Sequence, residues 1–440
     1  MTRIAVLGAG ALGLTVAYRL AQKGESVVVF EREPIPGGLA AGFEIEPGMW
    51  LEKFYHHLFR GDRHAIGLIE EVGLGDDLVW KRPLTVTLRD GQVHQLDSPA
   101  SLLKFRPLPM KDRLRMGAAL AYLRALPSPE RLEGRTAADW IRRRMGQRAY
   151  DVVWGPLLRG KFGALAEEIA MPWFWARVHD RTPELGYLRG GFQRLYDRLA
   201  QRITEAGGDL RFGTPVSEVR SSPIGGLMVE TPTETLQVDR VVSTLAVRLT
   251  CRLAPELPPD YRARHEWGQA YGAQCLVLAL DRPLTDTYWM NVNDPGFPFM
   301  ALVEHTNYME PADYGGRHLV YLGNYRPMDD PIMSASTDAV VDAFTPHLAR
   351  INPAFSRDWL THAWAFAAPF AQPIVTTDYR DHIPPFETPI PNLWLASMFQ
   401  VYPHDRGQNY SIDLANRLAQ QLADLGKRGA GSTGGLLALR

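Results

Sequence analysis

Cysteine is nearly absent from this chain. Its 440 residues include two, Cys251 and Cys275, with no C-x-x-C pair and no histidine cluster beside either. A disulfide scaffold, a thiol redox pair and a metal site are therefore not expected, and both thiols read as buried small hydrophobes in a reducing compartment. Long apolar runs are also missing. No stretch approaches the roughly 18 consecutive apolar residues of a membrane-spanning helix. The apolar residues at the N-terminus are interrupted by glycines, unlike the core of a signal peptide, so a cytoplasmic protein with no integral membrane segment is expected. The net charge of −1 supplies no overall field to attract nucleic acid or an acidic surface. Between residues 111 and 126, Arg113, Arg115 and Arg124 alternate with Leu and Met. That pattern fits a surface helix of a second domain better than a helix lying on a membrane.

What the chain does have is glycine at an informative spacing. Ile4 to Leu7 reads as a short buried strand, and Gly8, Gly10 and Gly13 follow it as G-x-G-x-x-G. In that pattern the first glycine permits the tight turn, the second lets a pyrophosphate approach the backbone, and the third lets helix and strand pack closely. Residues 11–22 fit the helix whose first N–H groups, from Ala11 and Leu12 onward, would face that pyrophosphate. Residues 26–30 form a second, β-branched strand that ends at Glu31. A carboxylate there can accept hydrogen bonds from a ribose and would repel a 2′-phosphate.

Further along, the cluster Phe54-Tyr-His-His-Leu-Phe59 sits in irregular sequence, and a helix is expected over 64–72. Residues 86–94 read as a hairpin turning at Asp90-Gly91. Helices over 113–124, 137–145 and 149–158 make 75–180 mainly helical. The pattern then reverts: a helix over 194–206, short strands at 209–212 and 215–220, and a hairpin pair at 227–230 and 236–239, whose second strand continues to 245. Residues 265–305 are strand-like and aromatic. A helix is expected over 337–351, capped by Ser334, Ser336 or Thr337. A strand at 392–396 leads through Tyr402-Pro-His-Asp-Arg-Gly-Gln-Asn-Tyr-Ser-Ile412 into a helix through Leu422.

The segment Glu31-Arg-Glu-Pro-Ile-Pro-Gly-Gly38 resembles the extended FAD signature of the flavin amine oxidase, protoporphyrinogen oxidase and phytoene desaturase superfamily. In that group an acid at the end of the second strand is followed by a basic residue and a glycine pair. The resemblance returns near the C-terminus, where a strand, a glycine turn and a long helix recur and the helix N-terminus meets the flavin. It implies an α/β fold, with a Rossmann-type (doubly wound, ββα) FAD-binding domain and an inserted mixed α+β substrate domain. The first would be discontinuous, over 1–74, 181–250 and 385–425; the second would take 75–180 and 251–384, leaving 426–440 as a flexible tail. By the same resemblance, Arg32, Gly37, Gly38 and Leu39 join the cofactor site, Val216 lies near the adenine, and Asp405, Arg406, Gly407 and Gln408 meet the flavin. The loop after the glycine pair passes the isoalloxazine ring in related flavoenzymes. His56 and His57 are therefore the candidate catalytic residues, to hydrogen-bond flavin N5 or O4 or to bind substrate, with a structural role as the alternative for either. No His or Cys stands in an attachment motif, so the FAD is expected to be non-covalent.

Two further stretches carry chemistry. Arg159, Lys161, Arg177 and Arg181 lie among Trp154, Trp173 and Trp175. Together they could clamp phosphate or carboxylate groups while an aromatic face stacks on a ring. The alternative is a solvated helix face with core tryptophans. This portion loosely resembles UDP-galactopyranose mutase, a more distant cousin. Leu185 to Leu195, with Gly190-Gly191, resembles the segment that opens the second nucleotide-domain block of protoporphyrinogen-oxidase-like proteins. The amine oxidases of the superfamily commonly place a lysine beside flavin N5, yet no lysine occurs between Lys161 and Lys427. The expectation is an FAD-dependent oxidoreductase that passes hydride from a cyclic or unsaturated, anionic small molecule to flavin N5. A redox-neutral sugar-nucleotide mutase and a non-catalytic flavoprotein subunit are the alternatives.

Overall fold

The computed structural model describes residues 2–433, and side chains as far as Leu425. Five strands, β1 (Arg3–Leu7), β2 (Ser26–Phe30), β3 (Asp209–Arg211), β4 (Arg240–Ser243) and β5 (Leu393–Leu395), form a parallel sheet in the order β3-β2-β1-β4-β5. This is the doubly wound order, with β1 at its centre paired to β2 and β4. Both faces are covered, which is why these strands read as continuous apolar runs. Ile4, Val6, Val27 and Val29 pack against helices α1 (Ala11–Gln22), α2 (Gln193–Glu205) and α3 (Gln408–Thr433). Ala5, Leu7, Val28 and Phe30 pack on a three-stranded antiparallel layer of Glu218–Ser221, Leu227–Glu230 and Thr235–Val238.

The single strand expected to run through 238–245 is two strands in different sheets. The break falls at Asp239, whose carboxylate accepts a hydrogen bond from the Arg3 backbone N–H at 2.7 Å and turns the chain from the antiparallel layer into β4. The strand expected at 215–220 starts later, at Glu218. The 149–158 helix is interrupted by a π-helical turn over Tyr150–Trp154. The 337–351 helix tightens to 3₁₀ after Phe344, beside Pro346, and Ser336 is its N-cap. The C-terminal helix continues past Leu422 to Thr433 and takes in the first part of the expected tail; 434–440 lie outside the described residues.

A seven-stranded sheet forms the second layer. It runs in the order Leu360–Pro373, Ala270–Leu280, His318–Arg326, Ala301–Glu304, Trp289–Val292, Thr85–Arg89 and Gln92–Gln95. The hairpin read at 86–94 is its edge, joined in parallel to Trp289–Val292 (Val86 opposite Met290). Its turn takes the left-handed conformation at both Asp90 and Gly91, the pairing for which Asp-Gly is suited. Helices between residues 99 and 179 build a separate apolar core around Trp140, Tyr150, Phe162 and Trp173. Among the described residues no helix is long and apolar enough to cross a membrane.

Candidate active site

One continuous cavity of about 1460 Å³ runs from the turn between β1 and α1 to the inner face of the seven-stranded sheet. At its first end, Gly8 has φ +100°, and a Cβ on Gly13 would overlap the Gly8 carbonyl oxygen. These two glycines let α1 start directly against β1. Gly10 is different: a Cβ there would have no neighbour closer than 3.9 Å, so the space beside it is open to the cavity. No side chain caps α1, and its first-turn N–H groups face that space. The Glu31 carboxylate is held by two backbone donors, Ala9 N–H at 2.7 Å and Glu33 N–H at 3.0 Å. Gly37 donates its N–H to the Ala9 carbonyl at 2.8 Å, and Gly38 passes against Gly10. An uncapped helix start, open backbone at Gly10 and a fixed carboxylate one strand away fit the pyrophosphate and ribose of a dinucleotide. Arg32 and Val216 line the same end of the cavity.

At the other end the chain brings together residues far apart in sequence. Every site residue expected above lines the cavity except Arg159 and the three tryptophans of the expected clamp, Trp154, Trp173 and Trp175. For Arg159 and Trp175 the departure follows from helical phase, because residues two apart on a helix face opposite ways. On the helix Gly155–Phe162, Lys161 points inward, so Arg159 is exposed. On the helix Met171–His179, Trp173 and Arg177 share the side that meets Asp405. Trp175 therefore turns into the core, donating its indole N–H to the Leu126 carbonyl at 3.1 Å and stacking on His179.

The cations left in the cavity are not equivalent. Lys161 Nζ is 2.5 Å from Asp405 Oδ2, and Arg177 Nη1 is 3.3 Å from the same oxygen. Burial works to raise the Asp405 pKa, but Lys161, Arg177 and Arg406 together hold it well below the usual carboxylate range. Arg406 donates to the Tyr325 hydroxyl at 2.8 Å. Arg181 is surrounded by protein but its side chain stays exposed where it borders the cavity, and among the described residues no carboxylate pairs with it. Burial and the neighbouring Arg177 push its pKa down to about 9, which leaves it a cation at neutral pH. Gln408 accepts from the Tyr196 hydroxyl at 2.5 Å through its side-chain oxygen.

Over residues 13–404 the sequence matches the family described as flavin containing amine oxidoreductase. The chain belongs to that family. It is an FAD-dependent oxidoreductase with the α/β architecture of the flavin amine oxidase superfamily. It is 24% identical to 15-cis-phytoene desaturase of Synechococcus elongatus, over 90% of each chain. Among solved structures it shares its fold with a candidate protoporphyrinogen oxidase from Exiguobacterium sp. 255-15, at TM-score 0.77 and 17% identity, covering 96% of this chain and 98% of that one. It shares it too with a reduced UDP-galactopyranose mutase, at TM-score 0.73 and 12% identity, covering 96% of both.

The flavoenzyme's cavity also holds residues that sequence reasoning passed over. Tyr55 lines the cavity and stands edge-on to Trp289. A Cβ on Gly323 would come within 2.6 Å of the Tyr55 ring, so this glycine in mid-strand marks a close approach. Asp180 accepts from His404 Nδ1 at 2.7 Å and from the Tyr410 hydroxyl at 2.9 Å. Beside it, burial raises Asp62 to about 6.

His56 and His57 are neutral in this setting. Burial pushes His56 down to about 4 and His57 to about 3, with Arg406 and Arg181 adding to the respective shifts. The Nδ1–H of His56 donates to the Phe54 carbonyl at 2.5 Å, which leaves Nε2 as an acceptor, while Nδ1 of His57 is buried with no partner. His305, in the core against Tyr314, is likewise pushed to about 3 by burial. Each of the three holds fewer protons folded than unfolded, where histidine titrates near about 6.5. Their contribution to stability is therefore complete above about pH 6.5 and is lost as the pH falls toward 4. The urea midpoint is expected to decline across that window; a flat profile would contradict the assignment of three neutral buried imidazoles.

Proposed function

We infer that this oxidoreductase binds FAD non-covalently and passes hydride from a cyclic or unsaturated, anionic small molecule to flavin N5. The observation that carries the substrate reading is Arg181, an unpaired guanidinium bordering the cavity while its neighbours Lys161, Arg177 and Arg406 are engaged within the protein. A planar guanidinium suits a carboxylate or phosphate. The same surroundings, where Lys161, Arg177, Arg181 and Arg406 cluster about Asp405, make a poor seat for an ammonium group. The non-covalent reading is supported by both cysteines being buried, with thiols raised by burial.

The flavin supplies the hydride acceptor, and the chain's part is to bind, orient and exclude water. The start of α1, Gly10, the Gly37-Gly38 pair and Glu31 would hold the dinucleotide, with Val216 beside the adenine and the backbone at Arg406 to Gln408 at the flavin end. Neutral His56 and His57 would offer hydrogen bonds without charge. Tyr55, Trp289 and Tyr325 would flank the substrate ring or polyene, where small misplacement costs rate steeply.

Arg181→Ala is expected to raise KM, or slow anaerobic flavin reduction, by about tenfold or more, the worth of a charge-assisted hydrogen bond. The flavin spectrum should not change. Arg159→Ala, an exposed site, should leave kinetics alone and alter stability by no more than about 0.5 kcal/mol. A second reading, a neutral polyene, is favoured by the likeness to a phytoene desaturase over nine-tenths of both chains. Unchanged kinetics in Arg181→Ala would select it.

A further inference from the structure

Asp405 and Lys161 are 244 residues apart in sequence and meet in the cavity at 2.5 Å. Their surroundings are built around the carboxylate. Oδ2 takes Lys161 and, at 3.3 Å, Arg177; Oδ1 takes the Trp173 indole N–H at 3.3 Å and the Arg406 backbone N–H at 3.2 Å. Two cations, an indole donor and a backbone donor converging on two oxygens is the donor set expected for a bound carboxylate or phosphate. Here the anion comes from the protein itself.

We propose that Asp405 is an internal anion in a seat that an anionic substrate group would otherwise occupy, and that by filling it Asp405 restricts this end of the cavity to substrates anchored through Arg181. Asp405 thus acts as a specificity-determining residue: one anionic group per substrate is accommodated, and a second is shut out. This rests on reading the cavity as the substrate site. Lys161 is the natural reporter. Burial lowers its pKa to about 7, against the raising effect of Asp405, with Arg177 and Arg406 lowering it further; the faces of Trp173 and Tyr325 lie 5.2 and 5.6 Å from Nζ.

The test uses the full chain carrying FAD, with its lysines ¹³C-methylated and titrated by NMR; Lys161→Arg identifies the Lys161 signal. In the parent protein that signal is expected to titrate near 7 and to ignore added acetate. Asp405→Ala should lower its pKa by about one unit or more, since a paired charge is lost, and acetate should restore it saturably by entering the vacated seat. Asp405→Asn should lower it as well, but without rescue, because the amide still fills the space. An unmoved Lys161 in either variant overturns the proposal. So does an Asp405→Ala protein that acetate cannot rescue, or a parent protein that acetate shifts equally. If Asp405→Ala does not fold, the titration in Asp405→Asn decides. This readout needs no turnover, so a failure of the proposed reaction, seen as a flavin that no anionic substrate reduces, is distinguishable from a failure here.

Discussion

Gly13→Ala is expected to yield a protein that is both destabilised and free of flavin. The added methyl group would overlap the Gly8 carbonyl oxygen and approach the Thr244 hydroxyl at 2.9 Å. The first obstacle is backbone in the turn leaving the central strand, which cannot swing aside like a side chain. Relief requires α1 to lift off β1, at a cost of about 3 kcal/mol or more, the upper range for overpacking. The helix start would then leave the position that faces the pyrophosphate. Gly10→Ala provides the contrast. Its methyl group meets nothing within 3.9 Å in the protein, so the thermal midpoint should hold while flavin content falls, because the methyl stands where the cofactor must approach. The ratio of flavin to protein absorbance, read beside the thermal midpoint, separates the two. Equal midpoints for both variants would contradict the close-packing role of Gly13.

The second large effect is expected at Glu31. Its two carboxylate oxygens accept from Ala9 and Glu33 N–H, which fixes the group at the end of β2 before any ligand arrives. A preset acceptor of this kind costs the ligand little ordering. Glu31→Ala removes the charge-assisted bonds to the ribose, each worth about 1.5–3 kcal/mol, and should weaken FAD binding by about tenfold or more per bond. It also leaves the Ala9 and Glu33 N–H groups without their acceptor, so some loss of stability accompanies it. Glu31→Gln keeps an acceptor and should fall between. Titration of flavin-free protein with FAD measures all three, and equal affinities would place the ribose contact elsewhere.

The glycine fingerprint and Glu31 were legible in the sequence because their meaning is local: turn, helix start and strand end lie within one contiguous segment. The parallel strands were legible as unbroken apolar runs for the same reason that both their faces are covered. Helical phase was legible too and decides between neighbours. Reading 155–162 and 171–179 on a helical wheel separates Lys161 from Arg159, and Trp173 and Arg177 from Trp175, whereas cationic and aromatic composition alone groups them. The sheet switch at Asp239 could not be read, since it depends on a carboxylate meeting the backbone of Arg3 across 236 residues. Nor could the fate of the clamp. Which of four cations stays free is set by where Asp405 arrives, and its partners come from helices in a different part of the chain. Gly323 was a signal left unread: a glycine inside a strand points to something close above it, here the ring of Tyr55.

The central claim is that the cavity holds FAD without a covalent bond. Purified protein should be yellow. When it is denatured and spun, the flavin should stay in the supernatant, run as FAD and amount to about one per chain, as a single dinucleotide site requires. Flavin that pellets with the chain would contradict non-covalent binding, and a colourless protein that takes up no added FAD would contradict the site itself.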